Sequence, residues 1–184
     1  MAHRFPLSEA PDPSARRLVE DSLAAIMGRT PSFPLVSDDG ESLTGPFAPL
    51  SYCPDVTRHI LELGKIYNQP AFLSPRKREL AILGLLAVWE TPYIMHNHRD
   101  IAIKIGLTGE QQDDLLAGKV PEGLSTAEEM VYRLACALAK LRGPLDNATW
   151  EEYSSRLEKA EIVAVVNVVG GYSWLGLLAQ VSGA

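Results

Sequence analysis

Cysteine is scarce in this chain: there are two in 184 residues. Cys53 and Cys136 lie far apart and belong to no CxxC pattern, so their spacing implies neither a disulfide framework nor a zinc site. Cys136, inside VYRLACALAKL, reads as a small core residue. A basic run is also missing. The net charge of -6 is spread along the sequence, which argues against electrostatic binding to nucleic acid or to an anionic membrane surface. Strand signals are nearly absent, and there is no low-complexity tract or repeat period. The stretch MAHRFPLSEAPDPSARR has no apolar core of secretory length and is broken by prolines, so the expected location is cytoplasmic.

With 46% hydrophobic and 22% charged residues, the chain can bury the core of one ordinary globular domain. Pro6, Pro11, Pro13, Pro31, Pro34, Pro46 and Pro49 cannot all lie in regular helices. Residues 1–45 therefore read as an arm packed on the domain, with one helix from Ser14 to Met27 whose mixed apolar face is Leu18, Val19, Ser22, Leu23 and Ile26. The domain itself, residues 46–184, reads as all-α. Apolar spacing predicts a helix from Pro54 to Tyr67. Ser74 followed by Pro75, and Thr91 followed by Pro92, are cap-and-proline starts for helices running to about Trp89 and to Gly106. Further helices are expected at Thr108–Ala117, Ser125–Leu141, Asn147–Leu157 and from Ala160 to about Val181. The uncharged run IVAVVNVVGGYSWLGLLA is as long as a membrane span. Asn167, Gly170, Gly171 and Ser173 dilute it and no positive cluster flanks it, so a buried or subunit-contacting helix is expected, with no membrane.

WETPYIMHNH places His96 and His98 two residues apart. On a helix such a pair points to nearly opposite faces, whereas a metal-binding pair on one face needs a separation of four. No metal is expected. Ile94, Ile101 and Ile105 form an apolar stripe that includes His98 at helical spacing, so His98 faces inward and His96 outward. Glu79 lies in RELAILGLLAVW, a largely apolar helix where an ionisable group needs a partner or a shifted pKa. If the two helices form an antiparallel pair turning near Glu90, Glu79 lies ~17 Å and His98 ~11 Å from the turn. Long side chains, an oblique crossing or a water can close that difference. The bland alternative is a hydrogen-bonded core histidine.

The segment LSPRKRELAILGLLAVWETPYIMHNHRDIAIKIGLTGEQQDDL resembles the carboxymuconolactone decarboxylase family, which includes the AhpD-like alkylhydroperoxidases. Fainter likeness runs through GPFAPLSYCPDV, LSTAEEMVYRLACALAK and EIVAVVNVVGGYSWL, so that it covers roughly residues 45–180. The resemblance implies an AhpD-like helical bundle. In the peroxidase branch a glutamate is followed after eleven residues by C-x-H-C and, three residues on, by a histidine. Here those positions are Glu79, Thr91, Tyr93, Ile94 and His98. Both redox thiols are missing, and without a thiolate the hydroperoxide-reducing cycle has no nucleophile. The lactone decarboxylase pattern carries a carboxylate ahead of the histidine, where this chain has Pro92, Tyr93 and Ile94.

What survives is a Glu79/His98 proton relay, in which the carboxylate orients the imidazole and raises its basicity. Tyr93 or His96 would donate a hydrogen bond to a developing oxyanion. Trp89, Phe47 and Tyr52 could line an apolar cleft, and Arg76, Arg78 or Arg99 could hold a carboxylate. Tyr172 and Trp174 read as packing around Gly170 and Gly171. The expectation is a cofactor-free lyase or isomerase acting on a small cyclic or aromatic acid, a lactone or a polyketide-like metabolite. The resemblance also implies a homo-oligomer, a trimer or a multiple of one. A thiol peroxidase and a non-catalytic ligand-binding bundle stand as alternatives.

Overall fold

Proline and capping residues divide the chain as their chemistry dictates. The computed structural model describes residues 3–27 and 33–184, so Pro31 lies outside the described residues. The helices are α1 (Ala15–Met27), α2 (Phe47–Leu50), α3 (Pro54–Tyr67), α4 (Pro75–Leu86), α5 (Pro92–Lys104), α6 (Gly109–Leu116), α7 (Thr126–Lys140), α8 (Asn147–Ser154) and α9 (Lys159–Ser182). Among the described residues there is no β-strand, only isolated bridges pairing Pro6 with Ser42 and Val36 with Leu43. The fold is all-α.

Several starts are built by side chains that satisfy otherwise unpaired amides. The Ser74 hydroxyl accepts from the Lys77 amide, with Pro75 in the first turn. Thr108 with Gln111, and Ser125 with Glu128, form reciprocal capping boxes. Thr91 departs from expectation. It precedes α5 but makes no capping hydrogen bond through its side chain, and it is buried. Helix α4 stops at Leu86, short of Trp89, whose amide turns back to the Leu85 carbonyl. The short helix α2 and a 3-10 turn at Leu7–Glu9 were not foreseen, since neither is long enough to show a periodicity.

The chain forms two compact units, Met1–Gln69 with Trp174–Ala184, and Pro70–Ser173. This grouping differs from a boundary at residue 45. In the first, α1 packs on α3, and Val19, Leu23, Leu43, Phe47, Ala48, Leu50 and Leu61 make the core. Trp174, Leu175 and Leu178 pack against it.

In the second unit α4 is the central helix, buried continuously from Glu79 to Leu86, as a helix apolar on every side should be. It packs on α5, α6 and α7. Each of Leu80, Ile82, Leu83 and Leu85, at 2% exposure or less, contributes roughly 1.5–3 kcal/mol by leaving water. The α4–α7 crossing is close because residue 84 is glycine. A Cβ there would lie 2.8 Å from the Tyr132 carbonyl oxygen and 2.9 Å from the Ala135 Cβ, overpacking that costs about 1–3 kcal/mol.

Helix α9 is long and apolar enough, by length and composition, to cross a membrane, and 39% of its most apolar window is buried. The rest leaves Val163, Val166, Leu177 and Val181 exposed. The helix is therefore buried along one side only.

Candidate functional site

The site begins where α4 meets α5. Arg76, in the first turn of α4, donates to the Ile105 carbonyl at the end of α5, so the two helices run antiparallel. Three residues further along α4, Glu79 faces His98. The Nδ1 of His98 lies 2.7 Å from the Glu79 Oε2. The axial mismatch estimated from the sequence is thus closed directly, without a bridging group.

Both partners are withdrawn from water, Glu79 at 1% exposure and His98 at 9%. A carboxylate only accepts, so the neutral imidazole must carry its proton on Nδ1 and donate it to Glu79. That leaves the Nε2 lone pair as the basic atom. Among the described residues, the Gln112 Oε1 is the only fully buried side-chain nitrogen or oxygen without a hydrogen-bond partner. The Nε2 of His98 makes no hydrogen bond among the described residues, so it retains contact with solvent. The arrangement is an oriented imidazole with one anchored nitrogen and one nitrogen without a hydrogen-bond partner among the described residues.

A third side chain joins this pair, one that sequence alone places in packing around Gly170 and Gly171. Tyr172, on α9, sets its ring edge-on to the His98 imidazole, with ring centroids 5.1 Å apart and planes at 83°. Burial raises its phenol well above the ordinary tyrosine value, the nearby Glu79 carboxylate adds to the effect and the Arg78 guanidinium opposes it. Tyr172 continues the buried stripe of Ile162, Val165 and Val168 along α9. That spacing was the available signal. A tyrosine at the end of a buried stripe needs an account of its hydroxyl.

The other expected site residues are placed differently. His96 is exposed, because two residues of helix rotate it about 200° from His98. Tyr93 is half-buried on α5, five residues and about 140° from His98, so the helix does not carry it to the same face. Trp89 is half-buried in the turn after α4. Arg76 is held by Glu128, Nε to Oε1 at 2.7 Å, and Arg99 by Asp113 at 3.1 Å, so both guanidinium groups hold the helices to one another. Phe47 and Tyr52 belong to the N-terminal unit. There Phe47 stacks on Phe33 at 6.3 Å, while the Tyr52 hydroxyl donates to the Pro6 carbonyl and its ring packs edge-on against Phe5.

At the positions that correspond to thiols in the peroxidase motif, Thr91 and Ile94 are both buried. Cys53 is exposed in the other unit. Cys136 donates to the Gly84 carbonyl, and burial pushes its thiol up, away from the thiolate. Among the described residues, the one group with metal-ligand character is His3, Asp39 and Glu41, in the N-terminal unit. There the His3 Nε2 is already 2.8 Å from the Asp39 Oδ2. Comparison with protein-family models, with characterised proteins and with solved structures finds no match to this chain.

Proposed function

We propose that this protein is a cofactor-free lyase or isomerase of the carboxymuconolactone decarboxylase type. It uses Glu79 and His98 as a proton relay on a small cyclic or aromatic acid, a lactone or a polyketide-like metabolite. The observation that carries the reading is the buried Glu79–His98 hydrogen bond at 2.7 Å, which engages Nδ1 and leaves Nε2 without a hydrogen-bond partner among the described residues.

In the forward step His98 Nε2 takes a proton from a carbon beside a carbonyl group, and the electron pair of the C–H bond moves into an enolate. Glu79 stabilises the imidazolium that results and keeps the ring from turning. The imidazolium then returns the proton to another carbon, which completes an isomerisation. In a decarboxylation the C–C bond to the carboxylate breaks first, carbon dioxide leaves, and an imidazolium protonates the carbanion. Positioned proton transfer of this kind accounts for about 10²- to 10⁴-fold of rate. A peroxidase cycle is not supported, since Thr91 and Ile94 supply no thiolate and Cys136 is held as a thiol.

The reading includes a homo-oligomer, a trimer or a multiple of one, with the exposed Val163, Val166, Leu177 and Val181 of α9 as the contact; sedimentation tests it. The activity is tested by incubating the protein in D2O with a panel of lactones and cyclic or aromatic acids while following deuterium incorporation and carbon dioxide release. Glu79→Gln and His98→Ala should both lose turnover and keep the fold. Full activity in both variants would remove the relay. Consumption of a hydroperoxide with a thiol reductant would point to the peroxidase instead.

A further inference from the structure

Two tyrosine hydroxyls of this protein have a backbone acceptor. The Tyr52 hydroxyl donates to the Pro6 carbonyl at 2.7 Å and the Tyr132 hydroxyl to the Leu115 carbonyl at 2.6 Å. Tyr172, like the buried Tyr153, makes no such bond among the described residues. Its ring is fixed against His98, yet its hydroxyl makes no hydrogen bond among the described residues. A phenol placed in an apolar helix without a partner is a donor awaiting an acceptor.

We propose that Tyr172 is the third working member of this site, donating its hydroxyl hydrogen to the substrate oxygen on which negative charge develops while His98 Nε2 handles the proton. The substrate is then a carbonyl compound that reacts through an enolate. The two rings meet edge to face, with centroids 5.1 Å apart, so the phenol and the imidazole belong to one contact. The chemistry of the two groups is complementary. His98 takes a proton from carbon, and the electron pair released moves onto the carbonyl oxygen, which Tyr172 stabilises without giving up its own proton. A donor requires its proton, and a phenol keeps it throughout the neutral range. The half-buried Arg78, whose charge reaches Tyr172, adds a positive field on the same side. This takes over the role expected of Tyr93 or His96, which point elsewhere on α5.

The inference rests on the acid/base reading of Glu79 and His98, and its test separates the two. The probe is 4-nitrophenolate, a planar oxyanion, titrated by its absorbance at a pH where it is ionised. Wild type should bind it. Tyr172→Phe, which keeps the ring contact and deletes the hydroxyl, should weaken binding about tenfold or more, the size of one hydrogen bond to a charged group. Site-specific 3-fluorotyrosine at position 172 keeps the shape, strengthens the donor and should tighten binding. The proposal is overturned if wild type does not bind, if Tyr172→Phe binds equally well, or if the fluorinated protein shows no gain. Failure of the relay would show instead as full turnover in Glu79→Gln and His98→Ala, and would leave the affinity ratio between wild type and Tyr172→Phe unchanged.

Discussion

The two compact units bury polar groups in opposite ways. Among the described residues of the N-terminal unit the buried polar side chains are Ser42, Ser51 and Thr57. All three are neutral hydroxyls that donate to carbonyls, those of Phe5, Ala48 and Leu50, at 2.6 to 2.9 Å. The unit spanning Pro70–Ser173 buries Glu79, Thr91, His98 and Gln112, two of them ionisable and one with an unsatisfied oxygen. A hydroxyl bonded to a carbonyl costs little to bury. Burying a carboxylate carries a penalty of several kcal/mol that its partner only offsets, and apolar residues of the same volume are often as stable. Stability therefore accounts for the buried hydroxyls of the first unit. It does not account for the Glu79–His98 pair, on which the proposed proton relay rests.

The sharpest way to break this contrast is to split the pair. His98→Ala leaves a buried carboxylate without its partner and should lower unfolding free energy by about 3–5 kcal/mol, read from denaturant midpoints. Replacing both residues by leucine should restore stability to within about 1 kcal/mol of wild type while turnover stays lost. If the double variant is as unstable as the single one, the pair is structural and the contrast fails. In the N-terminal unit Thr57→Val removes only a local hydrogen bond, so a loss of about 1 kcal/mol with unchanged activity is expected.

Gln112→Met should have a smaller effect still. Its amide donates to the Leu107 carbonyl at 3.5 Å and its oxygen has no partner, so thermal melting should show a change under about 1 kcal/mol, in the stabilising direction.

Near neutrality the smallest effect comes from the tyrosines. Burial raises the phenols of Tyr132 and Tyr172 in the folded state. Both ionise more readily in the unfolded chain, so their contribution is complete below about pH 10 and is lost as pH rises beyond it. Circular dichroism and absorbance at 295 nm should show tyrosine ionisation coinciding with unfolding. Ionisation of both residues in a chain that stays folded would refute the assignment.

Much of this architecture can be read from local chemistry. Ser74–Pro75, Thr108 with Gln111 and Ser125 with Glu128 mark helix starts because capping depends on residues three apart. The inward face of His98 follows from Ile94 and Ile101, and Glu79 stood out as a charge on an apolar helix. The inward place of Tyr172 is legible in the stripe of Ile162, Val165 and Val168, but its contact with His98 is not, because it is made between α9 and α5, elements far apart in sequence. Nor does a pattern of residue types say that Arg76 is taken by Glu128 or Tyr52 by Pro6. Those side chains were candidates for substrate contact until packing assigned them to other partners.

The central claim, that Glu79 holds His98 with its Nε2 free to act as a base, is tested most directly by long-range 1H–15N NMR of the histidine side chains above the imidazole titration. Neutral His98 should carry its proton on Nδ1, and Glu79→Ala should shift it toward the Nε2-protonated tautomer. A wild-type spectrum in which Nε2 bears the proton would contradict it.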